Sequence, residues 1–513
     1  MTNRDCEAAR RYHAVTKHSY TSVRGNPHYL DWDNRPLPYK IYPAAGSLAM
    51  PRELELPSIP TTAAIARDVP ADGVGAAIDL DMLTRLMFCT GGLTRSRTVD
   101  GEEYHFRAAA SAGALYPIEI YLATGGVEGL EPGLYHFSPA DLKLRGLRRG
   151  DWRGYLADAG AGREALRQAR AVIVFSALFW RSAWKYRARA YRYCFWDGGT
   201  MIANLMAAAN AENIPTEIIT AFADGPIEQL LELDGDREGI VCMVALGRSD
   251  VPVARSGAEL QLPPIGLETI ALSGREVVYD DLVKMHRASR LESADEVDAV
   301  RAARVVAAPP PVATGTVMIA PLDNEDSAEL GATILRRGST REFAREPLDA
   351  AELATILATS RPHPRADFPP TVEPFVIVNA VTGLAPGAWR YRRADGALEL
   401  IRAGEFRGEA GYLCLEQPLG ADCSALICYM TRLDAVLEAF GDRGYRTAHL
   451  EAGLLGGRAY LAAYALGRGA TGLTFYDDDT TKFFAPDDPG WAPLLMVAVG
   501  VPRRRAVRDD DAD

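Results

Sequence analysis

The sequence lacks the signatures of common metal and nucleotide sites. Its seven cysteines and eight histidines are scattered without a CxxC pair, and the nearest cysteines, Cys423 and Cys428, have no histidine cluster beside them. There is no Walker loop, no HExxH motif and no GxGxxG motif after a strand. These absences argue against a metal centre and against a Rossmann-bound nicotinamide. They favour buried free thiols in a reducing compartment.

Long apolar runs and excess positive charge are also missing. No apolar stretch is long enough to span a bilayer, and the opening MTNRDCEAARRYHAVTKHSY has no apolar signal core. The formal net charge of −12 argues against binding to nucleic acid or to an anionic membrane surface. We therefore expect a cytoplasmic protein. Its 513 residues exceed the length that one hydrophobic core usually supports, so two or more domains are expected.

A long internal repeat organises the chain. The segment GLEPGLYHF from Gly129 corresponds to GLAPGAWRY from Gly383, 254 residues later. The same offset joins Arg107 with Arg361, Glu119 with Glu373, Gly154 with Gly408, Arg189 with Arg443, Tyr191 with Tyr445, Asp197 with Glu451, and Gly199 with Gly453. A constant offset through most of both halves indicates that one domain has been duplicated.

Each copy is expected to be α+β. Short runs rich in β-branched and aromatic residues predict buried strands at 118–124, 171–179, 374–381 and 424–430, and closing strands at 241–247 and 494–500. Two segments, 201–213 and 454–467, are apolar nearly all round and rich in small residues, which predicts closely packed buried helices.

Composition also predicts the domain boundaries. Residues 1–60 are rich in proline and aromatic residues and are expected to form an N-terminal arm over the surface. Residues 287–327, first charged and then rich in Ala, Pro and Gly, are expected to be a linker. The two domains would then span residues 61–286 and 328–513.

Three segments resemble one enzyme family. RAAASAGALYPIEIYL at 107–122, LRRGSTREFAREPLDAAELATIL from Leu335 and HLEAGLLGGRAYLAAYALGRGATGLTFYDDD from His449 are similar to the SagB/ThcOx-type branch of the nitroreductase superfamily. That branch comprises FMN enzymes and includes azoline dehydrogenases of peptide natural-product pathways. Its members are intertwined dimers with FMN at the subunit interface, so the resemblance implies an intramolecular pseudo-dimer here and leaves its further association open.

The two halves have kept different parts of the family motifs. The first half contains SAGALYP at 111–117 but no Arg-Arg-x-Ser-x-Arg motif before its first helix. The second half contains RRGSTR at 336–341 but reads RADFPPT at 365–371, where SAGALYP would fall. Because the family draws these segments from different subunits, the resemblance implies one composite FMN site per chain.

The resemblance assigns FMN contacts to three groups of residues. Arginines bind phosphate oxygens bidentately, so the phosphate and ribityl contacts are expected from Arg337, Ser339, Arg341, Arg503 and Arg505. Small residues let the backbone approach a flat ring, and the SAGALYP contacts are expected from Ser111, Ala112, Gly113, Ala114 and Tyr116. The loop expected beside flavin N5, one residue shorter than is usual in the family, contains Gly472, Leu473 and Thr474.

Each of these segments also has an ordinary structural interpretation. Residues 336–341 could be a solvated helix start, residues 503–505 a basic tail, and residues 111–114 a tight turn.

Lys185 and Tyr186 match a lysine and a tyrosine that azoline dehydrogenases use near the flavin. Aromatising a thiazoline or oxazoline removes a hydride and a proton, so the reaction needs a base. The resemblance makes Lys185 the base and Tyr186 its helper, and the second half has Ala439 and Phe440 at these positions. The alternative is a surface lysine beside a core aromatic residue.

Three functions are consistent with the sequence. The first is FMN-dependent dehydrogenation of a heterocycle in a peptide or small-molecule intermediate, with biosynthetic partner proteins allowed for. The second is reduction of nitro compounds or quinones with NAD(P)H. The third is a degenerate copy that binds a peptide or a partner without turnover.

Overall fold

The two halves of the chain have the same α+β architecture. The computed structural model describes residues 3–25, 27–70, 76–99, 101–254, 262–305 and 313–503. Each half is built around a seven-stranded antiparallel sheet, which confirms the predicted duplication.

The first half contains nine strands and eleven helices in its described residues. The strands are β1 (Ser47–Ala49), β2 (Leu93–Val99), β3 (Glu102–Arg107), β4 (Ile118–Thr124), β5 (Gly133–Ser138), β6 (Lys143–Arg149), β7 (Ala171–Leu178), β8 (Thr216–Ile219) and β9 (Glu238–Leu246). The helices are α1 (Glu7–Val15), α2 (Tyr20–Gly25), α3 (Thr61–Ala66), α4 (Leu80–Gly91), α5 (Arg153–Ala159), α6 (Glu164–Gln168), α7 (Phe179–Tyr186), α8 (Ala190–Ala211), α9 (Asp224–Leu231), α10 (Asp280–Ala288) and α11 (Ala294–Ala302). The sheet order is β1-β6-β5-β4-β7-β9-β8, and β2 and β3 form a separate hairpin.

The second half repeats this plan. Its strands are β10 (Gly315–Met318), β11 (Leu348–Asp349), β12 (Val372–Val378), β13 (Val381–Thr382), β14 (Gly387–Arg392), β15 (Ala397–Ala403), β16 (Ala425–Arg432), β17 (Gly469–Leu473) and β18 (Trp491–Gly500). Its helices are α12 (Leu330–Arg336), α13 (Ala350–Ala358), α14 (Arg407–Leu413), α15 (Pro418–Asp422), α16 (Leu433–Phe440), α17 (Asp442–Ala465) and α18 (Asp477–Phe484). The sheet order β10-β15-β14-β12-β16-β18-β17 matches that of the first half strand for strand.

The long helices α8 and α17 pack against each other at the centre of the molecule. A Cβ atom placed on Gly199 would lie 2.4 Å from the carbonyl oxygen of Leu450 and 2.4 Å from the amide nitrogen of Leu454. A Cβ atom on Gly453 would lie 2.4 Å from the carbonyl oxygen of Trp196. The two backbones therefore approach at a distance that only glycine allows, at positions that the repeat relates to each other.

A buried ion cluster joins the first half to the second. Arg189 and Arg192, at the start of α8, lie 2.9 and 2.7 Å from the two carboxylate oxygens of Asp477. All three side chains are buried. Burial opposes ionisation of Asp477, but the two guanidinium groups hold its pKa well below its usual range.

The repeat generates a reciprocal cluster on the other side of the same interface. Arg443 and Arg446, at the start of α17, lie 2.6 and 3.0 Å from the two carboxylate oxygens of Asp224 in the first half. Although burial alone would raise the pKa of Asp224, the two arginines lower it to about 2. The domains are therefore connected by two charge clusters that are related by the repeat.

The spacing of the repeat changes next to the hairpin. In the first half, Asp79 is the N-cap of α4 and forms a backbone β-bridge with Glu128. In the second half, Asp349 is the N-cap of α13 and pairs with Thr382 in a parallel β-ladder. Glu128 and Thr382 are 254 residues apart, but Asp79 and Asp349 are 270 apart. The first half therefore has 16 more residues between this helix and its sheet, and the β2–β3 hairpin lies within that region.

The predicted arm and linker both contain helices. Within the arm, Ala9 and Tyr12 lie on the buried face of α1, and the amide nitrogen of Ala9 donates to Asp442 at 2.8 Å. Within the linker, α11 buries Val297. These segments are not extended throughout, because their apolar residues recur at helical spacing.

All seven cysteines are free and buried, as predicted. In the ranges described above, no helix is long and apolar enough to cross a membrane, and no group of His, Cys, Asp or Glu could hold a metal ion.

The glycine contact between α8 and α17 can be tested by substitution. We expect Gly199→Ala to lower the free energy of unfolding by about 1–3 kcal/mol, because its methyl group would overlap backbone atoms. Gly46→Ala is the matched control, since a Cβ there meets no atom within 4 Å. Thermal unfolding followed by circular dichroism measures both variants, and equal stability of the two would contradict the close approach.

Candidate functional site

A cavity of about 760 Å³ lies between the two halves. It is lined by the following residues that the sequence singled out: Ser111, Ala112, Gly113, Ala114, Tyr116, Lys185, Tyr186, Arg337, Ser339, Arg341, Gly472, Leu473 and Thr474. The first seven come from the first half and the other six from the second. The structure thus brings the RRGSTR and SAGALYP motifs to one place.

The C-terminal arginines are placed differently. Arg503 does not line this cavity; its side chain is 69% exposed, and its amide nitrogen donates to the carbonyl oxygen of Glu342. Its guanidinium lies 3.9 Å from the carboxylate of Glu342. Arg505 lies outside the described residues.

The SAGALYP loop adopts a strained backbone that Asp197 holds in place. Residues 112–114 form a 3₁₀ turn, in which Gly113 and Ala114 have φ values of 64° and 53°. The carboxylate of Asp197, on α8, accepts hydrogen bonds from Ser111 Oγ at 2.5 Å and from the amide nitrogen of Ala112 at 3.0 Å. Asp197 therefore holds the loop in this conformation. The repeat pairs Asp197 with Glu451, but that pairing did not indicate this role.

Burial determines the ionisation of Asp197. The side chain lines the cavity, and burial raises its pKa to about 7 despite the hydrogen bonds from Ser111 and Ala112. Asp197 is the only carboxylate that lines the cavity, and the structure gives it no ion pair among the described residues.

Arg337 is a buried cation without a carboxylate partner in the described residues. Its Nε and Nη2 atoms donate to the carbonyl oxygens of Ala108 and Arg107, both at 2.7 Å, and Nη1 donates to Gly338 at 3.2 Å. Burial lowers its pKa, since no carboxylate compensates the lost hydration. The residue joins the RRGSTR motif to the first half, and it leaves positive charge at the cavity wall.

Further cations line the same cavity. Besides Arg337, these are Arg95, Arg97, Lys185 and Arg341, and none of them forms an ion pair with a described residue. Arg95 and Arg97 belong to the β2–β3 hairpin and were not identified from the sequence. Alternating basic residues on an ordinary strand carried no signal that could have identified them.

Tyr460 connects the opening motif to the closing loop. From its position on α17, its hydroxyl lies 3.5 Å from Ser339 Oγ and accepts a hydrogen bond from the amide nitrogen of Gly472. On the other side of the loop, Tyr193 Oη donates to Thr474 Oγ1 at 3.2 Å. Neither tyrosine was predicted as a site residue.

Lys185 and Tyr186 converge on the SAGALYP loop. A Cβ atom on Gly113 would lie 3.3 Å from Lys185 Nζ and 2.7 Å from Tyr186 Oη. Burial, with a contribution from nearby Arg341, lowers the pKa of Lys185. Burial raises the pKa of Tyr186 well above its usual value. Lys185 is therefore neutral, and available as a proton acceptor, in a larger fraction of molecules than an exposed lysine, whereas Tyr186 remains a hydrogen-bond donor.

On the other side of the pseudo-dimer, the corresponding loop is bonded to a protein carboxylate. Asp367, in the segment that replaces SAGALYP, accepts hydrogen bonds from the amide nitrogens of Thr220 and Ala221, both at 2.8 Å. These amides follow β8, which corresponds to β17. Thr371 in turn bonds to Glu451, the repeat partner of Asp197. On this side, the carboxylate of Asp367 therefore accepts the hydrogen bonds of the loop amides.

Comparisons with known proteins agree with the two-domain architecture. A protein-family model described as "Nitroreductase family" matches residues 75–248 and 334–501. A Methanocaldococcus jannaschii protein described as a nitroreductase, MJ1384, is 26% identical over 198 residues, which cover 36% of this chain and 98% of that protein. The microcin B17-processing protein McbC of Escherichia coli is 26% identical over 133 residues, which cover 25% of this chain and 49% of that protein.

One crystal structure matches both halves together. It is described as a nitroreductase from Anabaena variabilis, and it superimposes with a TM-score of 0.76 at 26% identity. The match covers 97% of this chain and 99% of the other, so the tandem arrangement also occurs there.

The raised pKa of Asp197 predicts a pH dependence of stability. Its pKa in the folded protein is about 7, against a usual value of 3.8, so folding takes up a proton between these values. Stability of the flavin-free wild type should fall as pH rises from 4 to 7, by at most about 4 kcal/mol. Asp197→Asn keeps an oxygen acceptor and cannot ionise, so it should lack this contribution.

Thermal unfolding of both proteins at several pH values measures the difference. Asp487→Asn, at an exposed position, controls for the loss of one negative charge. Parallel pH curves for the wild type and Asp197→Asn would show that Asp197 ionises normally.

Proposed function

Because this chain belongs to the nitroreductase family, we propose that it is a cytoplasmic FMN-dependent dehydrogenase that acts on a thiazoline- or oxazoline-type heterocycle. Its single flavin would lie in the cavity between the two halves. The convergence of Lys185 and Tyr186 on Gly113 carries the proposal, since it places a proton acceptor and a hydroxyl donor beside the loop assigned to the flavin ring.

The residues around the cavity fit FMN. The volume of about 760 Å³ lies within the usual range of cofactor pockets. Arg337 is a buried cation that lacks an anionic partner among the described residues, and a phosphate would supply one. Trp196 also lines the cavity, and its Nε1 has no hydrogen-bond partner in the described ranges. Arg337, Ser339 and Arg341 would hold the phosphate and ribityl chain.

The two loops would enclose the ring. The turn at residues 111–114 offers small side chains and a fixed backbone, and residues 472–474 form the opposite wall with a glycine at its start. FMN supplies a hydride acceptor when it is bound. The protein must then orient the substrate and remove a proton.

Lys185 is the proposed base. Its amine loses hydration in the cavity and lies near Arg341, so the neutral form is more accessible than in an exposed lysine. Tyr186 is held by its ring contact with Tyr193, whose centroid lies 4.2 Å away, and its hydroxyl can orient a heteroatom of the substrate. Removal of a proton from the ring carbon by Lys185 would accompany loss of the hydride and aromatise the heterocycle.

Two observations bear on the substrate. The motif resemblance is to the branch that includes azoline dehydrogenases, and McbC is a microcin B17-processing protein. Both favour a peptide-derived substrate and partner proteins that act on the same peptide. MJ1384 and the Anabaena protein are instead described as nitroreductases, which favours reduction of nitro compounds. The alternative function is therefore an NAD(P)H-dependent nitro or quinone reductase. The variants below distinguish these two activities from each other and from a non-catalytic binding protein.

The composite site predicts about one FMN per chain. Absorption spectra and identification of the flavin released on denaturation would measure this ratio. Ser111→Trp fills the ring position and Arg337→Ala removes the buried cation, so each should abolish flavin binding. Arg336→Ala is the matched control, because that side chain bonds to Tyr464 and does not line the cavity. Two FMN per chain, or a wild type that cannot bind FMN, would contradict the proposal.

Lys185→Met separates the candidate reactions. It should reduce azoline dehydrogenation by about 100-fold or more, because the base is lost, and spare reduction of a nitroaromatic compound. In the wild type, dehydrogenation should become faster as rising pH deprotonates Lys185. Lys284→Met, at an exposed position, is the control. Equal losses in both reactions would indicate that Lys185 has a structural role instead.

A further inference from the structure

The β2–β3 hairpin is an asymmetric feature of the cavity. It lies in the first half, where 16 additional residues separate α4 from the sheet. Arg95, Arg97 and Phe106 of the hairpin line the cavity together with the RRGSTR motif of the second half. The hairpin therefore reaches across the pseudo-dimer interface at the one position where the family motifs are complete.

The hairpin directs Arg95 towards the RRGSTR motif. The strand register shifts between Leu93 and Arg95, and such a bulge turns the following side chain relative to a regular strand. The guanidinium of Arg95 stacks on Phe106, 4.6 Å from the ring centroid. Its Nη2 atom lies 3.2 Å from the position of a Cβ on Gly338, so it rests against the backbone between Arg337 and Ser339.

Arg337 is a buried cation and its neighbour Arg95 is exposed, so the lack of an anion is costly chiefly at Arg337. Arg337 is buried and bonded to backbone carbonyls, and Arg95 adds a like charge that further disfavours the charged form of Arg337. No carboxylate forms an ion pair with either of them in the described residues. An anionic ligand that bridges the two guanidinium groups would compensate this repulsion, and a phosphate with nearly two negative charges is well suited to do so.

We propose that Arg95 binds the phosphate of FMN, so that the phosphate site, like the ring site, draws residues from both halves. This inference rests on the proposed function. It assigns to the first-half hairpin a contact that the resemblance had partly placed on the C-terminal arginines, of which Arg503 does not line the cavity. The absence of an equivalent insertion before β12 is a further reason for a single site per chain.

Riboflavin provides the test because it shares the ring and ribityl chain with FMN and lacks the phosphate. Dissociation constants of both flavins are measured by fluorescence titration of flavin-free full-length protein, for the wild type, Arg95→Ala, Arg95→Lys and Arg149→Ala. Arg149 is exposed in the first half and does not line the cavity, so its variant controls for net charge.

We expect the wild type to prefer FMN to riboflavin. Arg95→Ala should weaken FMN binding about tenfold or more and leave riboflavin binding unchanged, whereas Arg95→Lys should keep part of the preference. Arg149→Ala should behave as the wild type.

Three results would overturn the inference. They are an unchanged preference in Arg95→Ala, an equal loss of both flavins, which would indicate a packing role for the hairpin, and a wild type without preference for FMN. A wild type that binds neither flavin would overturn the proposed function itself.

Discussion

The contact between α8 and α17 is the constraint on which the rest of the structure depends. Gly199 and Gly453 let the two helix backbones touch, and this close approach fixes how the sheets of the two halves are placed. The ion clusters around Asp224 and Asp477 then join the ends of these helices to the opposite domain. Burying these charges costs desolvation energy, and the attraction between them offsets that cost only when the two domains are correctly placed. The clusters therefore specify the register of the two domains as much as they stabilise it. The cavity lies along this interface, and its shape therefore depends on the same contact.

The cavity itself is built from groups that a stable protein would otherwise avoid. Arg337 is buried without a carboxylate partner in the described ranges, and Asp197 is buried without a cation. The residues at 113 and 114 have left-handed backbone angles. Each feature costs stability, and features of this kind cluster at ligand-binding and active sites. This pattern distinguishes the site from the structural ion clusters, in which every charge has an opposite partner.

The two equivalent regions of the pseudo-dimer interface differ in what contacts their loops. On the side of the cavity, the carboxylate of Asp197 accepts hydrogen bonds from the SAGALYP loop. On the opposite side, Asp367 bonds directly to the loop amides at Thr220 and Ala221, and Glu451 is paired with Arg393. On the side without the SAGALYP motif, a carboxylate thus pairs with the loop amides and connects the two halves. The β2–β3 hairpin and its arginines lie on the side of the cavity.

The sequence by itself determined the duplication, the α+β class, the positions of the central strands and the C-terminal halves of the two long helices, because these depend on local hydrophobic patterns and on self-similarity. Local motifs also indicated Ser111 and Arg337, and the structure places both in one cavity. Only the tertiary structure placed Asp197, Asp367 and Arg95 against their neighbours. Each acts on a residue far away in the chain, and the ionisation or direction of each depends on burial, on a bulge or on a partner from the other half. Such properties arise when distant segments pack together, so no local pattern of residues encodes them.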